Sequence, residues 1–444
     1  MSHAVIEKSS YVDAFRESRR LAGGSLPRWF DNLRGGSIER FEEVGFPTTD
    51  EEDWKYTNVA PIARRVFHPA SGQAEAAFDS SLIGPYAYQE SKGSRVVFVD
   101  GIYRADLSSL EGLPAGVEVS QLTDALEGEH SEVVRKHLEV AAAADSFAAL
   151  NTALFDAGLL LRIGRGVVVE SPIQLLFLAA SEREDTAAFP RVLIVSEPQS
   201  SATVIETYDA VGDQVYFTDS VVEARVGDGA RLVHYRVQRE GERAFHVAST
   251  RAELGRAAHY DLTTITLGAQ LSRHNVEVSL DNEGAECWVD GLYLVGTGQH
   301  TDTHSLIDHR VPRCVSHQNY KGILDGRSRA VFNGRVYVHP DAQQTDAFQS
   351  NKNLLLSNEA RVDTKPQLEI FADDVKCAHG ATVGQLAEEE LFYLVSRGLR
   401  PALARNLLTY GFAEEIVEKI KIGSIKRQLD EAILNRLHAE FEAQ

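Results

Sequence analysis

The chain has 444 residues, 43% hydrophobic and 25% charged, as expected of a folded protein of two or three units that needs no disulfide or metal to hold a core. A formal charge of −20 repels phosphate backbones, so nucleic acid is not an expected partner. The three cysteines, Cys287, Cys314 and Cys377, are a poor disulfide framework and suit a reducing compartment. MSHAVIEKSS at the start lacks an apolar signal core, and no run of about 18 apolar residues exists, so the expected location is cytoplasmic, with no membrane contact.

Residues 1–92 read as mostly helical, with Val12, Phe15 and Leu21 at loosely helical spacing. In FPTTDEEDWKYTNV, Thr48-Thr49-Asp50 is placed to cap a short helix whose first turn holds Glu51, Glu52 and Asp53. Residues 72–92 are small and polar and read as a linker. Ser94 to Tyr103 reads as a strand, and His130 to about Phe155 as a helix, on the spacing of Val134, Leu138 and Ala141.

From about Leu159 to His379 helical periodicity gives way to short alternating runs such as LLLRI, RVLIV, RLVHYRV and NVEVSL, each followed by a turn rich in Gly, Asp or Asn. A sandwich, a barrel or a solenoid produces such punctuation. The turns VGDGA, LGRAA and DNEGA place alanines at 230, 258 and 285, spaced 28 and then 27 residues, with HPDA and SNEA following at Ala342 and Ala360. Recurrent turns favour stacked coils. From about Thr382 helical spacing returns, through Leu386, Leu391, Leu394 and Val395. Gly398 stands where a C-cap glycine stands, Pro401 opens the next helix, and a final helix runs from Ala413 with Gly423 as a kink. The units are therefore 1–158, 159–381 and 382–444.

No GxxxxGK[ST] loop occurs, so no nucleotide is expected to bind in the P-loop manner, and no HExxH, GxSxG or CxxC motif appears. Cys377-Ala378-His379 is the clearest chemical pair: on a strand, residues i and i+2 share a face, and thiolate and imidazole suit iron or sulfur. The plainer alternative is a half-buried cysteine beside a surface histidine. A cluster needs four ligands, so a working site would borrow the rest from another chain. His300, His304, His309, His317 and His339 fall within 40 residues, either as metal ligands or as hydrogen-bonded turn residues. The Asn- and Gln-rich run from Gln318 to Ser357 reads as side-chain ladders on a stacked sheet. Phe392, Tyr393 and Arg397 are of the types that anchor protein interfaces. Asp302, Asp308 and Asp325 are candidates for paired carboxylates of a carbohydrate-active enzyme, the rival reading.

KCAHGATVGQL, followed by LFYLVSRGL and preceded by KNLLLSNEARVDTKPQLEIFADDV, closely resembles the SufB/SufD family of iron–sulfur cluster assembly proteins, over roughly Gly291 to Phe412 and weakly through the β-rich middle. EEDWKYTNV and the CAHGA form of the motif resemble the SufD branch. The resemblance implies a right-handed parallel β-helix flanked by N- and C-terminal helical regions. It implies a scaffold subunit of the SUF machine without ATPase activity, acting with a SufB-like paralogue and a SufC-like ABC ATPase; a homodimer is possible when the chain is alone. It further implies a transient cluster or iron at Cys377 and His379, shared with the paralogue. The ATPase would dock on the C-terminal helical region, represented by Leu391, Phe392, Tyr393, Arg397, Leu407 and Phe412.

Overall fold

A computed structural model describes residues 9–22, 26–70, 79–142 and 145–442. Along the β-rich stretch successive strands alternate between two sheets. The first takes Leu159–Ile163, Arg191–Ser196, Tyr216–Val226, Phe245–Leu254, Leu271–Leu280, His300–His309, Arg329–Val338 and Arg361–Ile370. The second takes Ile173–Ala179, Ser201–Ala210, Arg231–Arg239, His259–Thr266, Glu286–Val295, Val315–Leu324, Thr345–Leu355 and Val375–Gly384. Neighbours within each sheet are parallel and in register, giving a β-solenoid of about 8 turns rather than a sandwich. Each turn is too short to hold a crossover helix. The chain therefore passes directly from one sheet to the other and returns one coil higher.

Register stacks like positions into columns. One lumen column reads Ala202, Leu232, Tyr260, Cys287, Ser316, Ala347, Cys377. The recurrent turn alanines, Ala230, Ala258, Ala285, Ala342 and Ala360, are all buried in the same core as the lumen side chains. They are small because a corner where coils stack closely has no room for more. Burying each lumen Val, Leu or Ile contributes about 1.5–3 kcal/mol.

The two ends of the solenoid differ. At the start, Val117–Gln121 pairs antiparallel with Leu159–Ile163, and Arg95–Val99 pairs with Ile173–Ala179 before turning back as Ile102–Tyr103. That turn needs positive φ at Asp100 (51°) and Gly101 (83°), which is why Ser94 to Tyr103 is a hairpin rather than one strand. At the far end, Arg361–Ile370 and Val375–Gly384 each stand last in their sheet.

Helices cover the outer faces. Ser9–Ala22, Arg28–Val44 and Ser146–Leu154 pack through Tyr11, Phe30, Phe41 and Phe147 onto Phe217 and Phe245 of the first sheet. The expected helix from His130 to Phe155 is two, Ser131–Ala142 and Ser146–Leu154; Asp145 caps the second by accepting from the Ala148 N–H at 2.8 Å. On the second sheet, Ile416, Ile420, Ile425, Leu429 and Ile433 pack over Tyr235, Ile265, Leu292 and Ile323.

Several sequence expectations change. Of the supposed linker, residues 71–78 lie outside the described residues. Ser80–Tyr86 and Gln89–Ser91 form 3-10 turns with Ile83 and Tyr88 buried. Glu90 accepts from the Ser424 N–H at 2.9 Å, satisfying an otherwise bare donor at the start of Gly423–Glu442. Gly423 thus begins a helix and does not kink one; the preceding helix, Pro401–Val417, has already ended. Thr382 to Gly384 are still strand, and helix resumes only at Glu388. Gly398 (φ 94°) and Pro401 occupy the expected helix-end and first-turn positions. The turn at Thr48 is closed by the Glu51 carboxylate, which accepts from the Thr48 N–H at 2.9 Å, and the helix it precedes is only Glu52–Trp54.

That short helix fastens the N-terminal region across the first sheet. The Arg273 guanidinium lies 3.7 Å from the Trp54 ring centroid, donates to the Asp53 carbonyl at 2.7 Å and to Asp302 at 2.9 Å. Thr57 donates to the same carboxylate at 2.5 Å. We expect Arg273→Ala, which leaves Asp302 buried without its cation, to cost about 3–5 kcal/mol, read as a fall in the urea midpoint followed by tryptophan fluorescence. Retention of the wild-type midpoint would show that this clasp does not hold the two regions together.

Candidate functional site at the open end of the solenoid

Cys377 and His379 lie on the last strand, Val375–Gly384, in register with Ala347 and Gln349. Burial along Thr345–Leu355 alternates, with Ala347, Gln349, Asn351 and Asn353 inside. Cys377, His379, Ala381 and Val383 therefore share the lumen parity, and no further coil among the described residues covers them. Cys377 is half-buried against the end of the core, and His379 is exposed. Burial pushes the Cys377 thiol up, only partly opposed by a backbone hydrogen bond at Ala347. In the isolated chain the sulfur is thus a protonated thiol at neutral pH, and becomes a ligand only when a cation displaces its proton.

The other cysteines do not join it. Cys287 lies in the same column three strands deeper, roughly 14 Å away at normal strand spacing, and burial raises its thiol far above the ordinary range. Cys314 is buried in a turn, its Sγ 3.4 Å from the Asn282 carbonyl. Among the described residues no group of three or more His, Cys, Asp or Glu side chains is placed to hold a metal ion. The Cys377–His379 pair supplies two ligands where a cluster takes four.

The mouth has an apolar rim. Phe348 is 45% exposed, Phe371 55% and Val383 48%, with Ile370 beside them in sequence. The rim continues down the outer face as a stack: Phe348 lies 6.3 Å from His317, and His317 5.3 Å from Trp288. Phe348, Phe371 and Trp288 are not singled out by the sequence, which offers His317 only as a metal ligand or a turn residue. Their signal, residues of like parity one coil apart, becomes readable only once the register is known.

The five histidines serve the fold. His304 pairs with Asp302 at 3.1 Å, and His300 hydrogen-bonds with Thr57 at 2.9 Å. His309 meets Ser316 at 2.8 Å, His339 meets Asp308 at 2.9 Å, and His317 is part of the stack. The candidate carboxylates are likewise engaged. Burial would raise the Asp302 carboxyl, but Arg273 and His304 hold it well below the usual range. Asp308 takes Arg310 and His339, and Asp325 accepts from the Gly326 N–H. Nothing here resembles an acid–base pair flanking a bond to be cut.

A second candidate surface is the helix Glu388–Ser396, which buries none of its residues, and the start of Pro401–Val417. Phe392 is 74% exposed and Tyr393 57%, with the Arg397 guanidinium 5.1 Å from the Tyr393 ring; Leu403 and Leu407 are also exposed, and Leu391 is half-buried. Phe412, expected in the same set, turns inward instead. Its ring lies 4.8 Å from the Lys321 ammonium, and its carbonyl accepts from the same Lys321 at 2.8 Å, which ties the helix to the solenoid.

The sequence is matched by two family models and by known proteins. The family model described as "SUF system FeS cluster assembly, SufBD core domain" matches residues 177–412, and the one described as "SufBD protein N-terminal region" matches 6–175. The chain belongs to the SufBD family of iron–sulfur cluster assembly proteins. It is 33% identical over 410 residues to an iron–sulfur cluster assembly SufBD family protein of Synechocystis, covering 90% of each chain. It is 32% identical over 407 residues to the iron–sulfur cluster assembly protein SufD of Escherichia coli, covering 90% of this chain and 91% of that one. To the SufD of Bacillus subtilis it is 27% identical over 447 residues, covering 94% and 95%. No helix among the described residues is long and apolar enough to cross a membrane.

Two measurements follow. In the native chain one thiol should react with Ellman's reagent, faster as pH rises because burial holds the Cys377 thiol above its ordinary value, and Cys377→Ser should abolish that reaction. Two or three equivalents would contradict the burial of Cys287 and Cys314. The second concerns acid. Burial pushes the His309 imidazole down to about 4, against a weaker upward pull from Asp308. Below its ordinary value near 6.5 the unfolded chain takes up a proton that the folded chain refuses. Stability therefore falls as pH drops from about 6.5 to about 4, by about 3 kcal/mol from this residue. Comparing urea midpoints at pH 7.5 and 4.5, His309→Gln should show a smaller acid loss than the parent; an equal loss would remove His309 from the account.

Proposed function

We propose that this chain is a SufD-type scaffold subunit of the SUF machine, without catalytic activity of its own, acting in the cytoplasm with a SufB-like paralogue and a SufC-like ABC ATPase. The observation that carries the reading is the uncapped end of the solenoid. Two ten-residue strands, Arg361–Ile370 and Val375–Gly384, close their sheets with no further strand beyond them among the described residues, and Cys377 and His379 stand between those edges. A bare edge is a template for another strand, and folded proteins ordinarily blunt one. Here it is flanked by Phe348, Phe371 and Val383, apolar side chains that gain from being covered. A paralogue with the same solenoid end would extend both sheets and bring its own ligands to the pair. The cluster, or its iron, is cargo passing through that shared site, and no nucleotide binds this chain.

The helices Glu388–Ser396 and Pro401–Val417 are the natural seat for the ATPase. They present Phe392, Tyr393, Leu403 and Leu407 to solvent, while Phe412 and Lys321 hold the same element to the solenoid. A pull on this seat would reach the second sheet, whose last strand bears the pair.

Co-expression with the paralogue and the ABC ATPase of the same organism, followed by the mass of the purified assembly, tests the reading. The expected result is a stable complex of the three. Elution of this chain alone or as a homodimer, while the other two associate, overturns it. Within such a complex, Phe392→Glu with Leu407→Glu should weaken capture of the ATPase about 30-fold or more, as buried interface anchors do. Cys377→Ala with His379→Ala should leave the complex intact and abolish cluster assembly; assembly at the parent rate would refute the site.

A further inference from the structure

The column that ends in His379 changes character as it approaches the mouth. Its upper part, above the buried His234, runs Leu262, Val289, Gln318, Gln349, His379, apolar at Leu262 and Val289 and amide-bearing in the last two closed coils. The two glutamines form a directed ladder. Gln318 Nε2 donates across the lumen to Ser305 Oγ at 2.7 Å, and Gln349 Nε2 donates to Gln318 Oε1 at 2.6 Å. Both side chains are buried, Gln349 completely. Space for the upper rung depends on Gly334 of the facing sheet, where a Cβ would stand 2.4 Å from Gln349 Nε2. Every rung is satisfied except the last acceptor: Gln349 Oε1 is buried and has no hydrogen-bond partner. A buried amide oxygen left bare is costly and uncommon, and the next residue of its column is His379.

We propose that Gln349 is the positioning residue of His379. Its Oε1 accepts the N–H of one imidazole nitrogen and so leaves the other nitrogen unprotonated, with its lone pair available at the mouth for the cargo iron. This rests on the reading of His379 as an iron ligand. A histidine that binds a metal generally donates its second ring N–H to a fixed oxygen, which sets both the tautomer and the ring plane. The ladder is particular to this column. Beneath Cys377 lies Ala347, whose side chain is a methyl group with no hydrogen-bonding atom.

The test is the tautomer of His379 in the full-length chain labelled with 15N-histidine, at pH 8, by long-range proton–nitrogen correlation. His379→Ala identifies the signals. The expected result is a single neutral tautomer in the parent, kept in Gln349→Glu, which retains an acceptor at that place, and lost to a mixture in Gln349→Met, which keeps the length but not the oxygen. If Gln349→Met does not fold, Gln349→Asn, whose amide falls one methylene short, carries the same expectation. A parent that already shows a mixture, or a tautomer unchanged in both Gln349→Met and Gln349→Asn, overturns the inference. In the complete assembly complex, cluster formation should fall about 10–100-fold in Gln349→Met and be restored in Gln349→Glu. The two ideas fail separately: full cluster assembly by His379→Ala sinks the ligand reading, whereas the tautomer measurement alone decides whether Gln349 holds the ring.

Discussion

In-register parallel stacking is the constraint on which the rest of this molecule depends. Each coil contributes one strand to each sheet, and each strand sits residue for residue on the one below it. Once the first coil is placed, the face to which every later side chain points is determined, because a slip of one residue would turn the whole lumen set outward. Backbone hydrogen bonds are satisfied between coils, so a coil in the middle is complete and a coil at the end is not. The start of the solenoid is completed by strands from the N-terminal region, Val117–Gln121 antiparallel on the first sheet and Arg95–Val99 parallel on the second. The far end has no such cover among the described residues, and it is there that the chemical side chains of lumen parity, Cys377 and His379, meet solvent.

The helical regions are fastened to this core by polar contacts as well as apolar ones, and those contacts account for most of the conspicuous titratable residues. Arg191, fully buried beneath Ser146–Leu154, pairs with Glu223. Lys419 reaches Asp290 and Lys321 reaches Glu415, joining the C-terminal helices to the second sheet. Buried pairs of this kind add little net stability over apolar packing, but breaking one partner is costly, so they favour one docking arrangement over its neighbours. The lumen holds its own charged set, with His234 and Arg236 on Glu206 and His246 on Glu240. These groups are buried and sit several coils below the mouth.

The site at the mouth is half of something. Its sulfur is a protonated thiol, its imidazole stands in solvent, and its ligand count is two. Two such donors are too few to hold a metal ion or cluster tightly, and the proposed role as a transient assembly site would rest on ligands from elsewhere. The same incompleteness marks the surroundings, where aromatic rings at 45% and 55% exposure flank unpaired strand edges. In the proposed complex, a partner that extended the sheets would also add the missing ligands, so assembly of the protein and of the site would be one event.

Much of this was legible in the residues themselves. Alternation of apolar and polar side chains, turns with recurrent alanines, and the flanking helical periodicity are local properties, and local sterics and burial decide them; so the strands, the solenoid turns, the cap at Gly398 and the first-turn Pro401 could be read directly. The Cys377–His379 pair was legible for the same reason, since i and i+2 of a strand share a face whatever the strand pairs with. Contacts between residues far apart in the chain were not. Nothing local tells that Trp54 meets Arg273, that Glu90 caps the helix at Gly423, or that Phe412 faces Lys321 while Phe392 does not. Nor could spacing show that Gln318 and Gln349, 31 residues apart, form one ladder beneath His379, because that depends on the length of each intervening turn. The sequence by itself determined which segments stack and which side chains each strand presents inward. The tertiary structure alone decided which coil is last, and so which of many inward-facing residues are left at an open end, because only there does the stacking that buries all the others come to a stop.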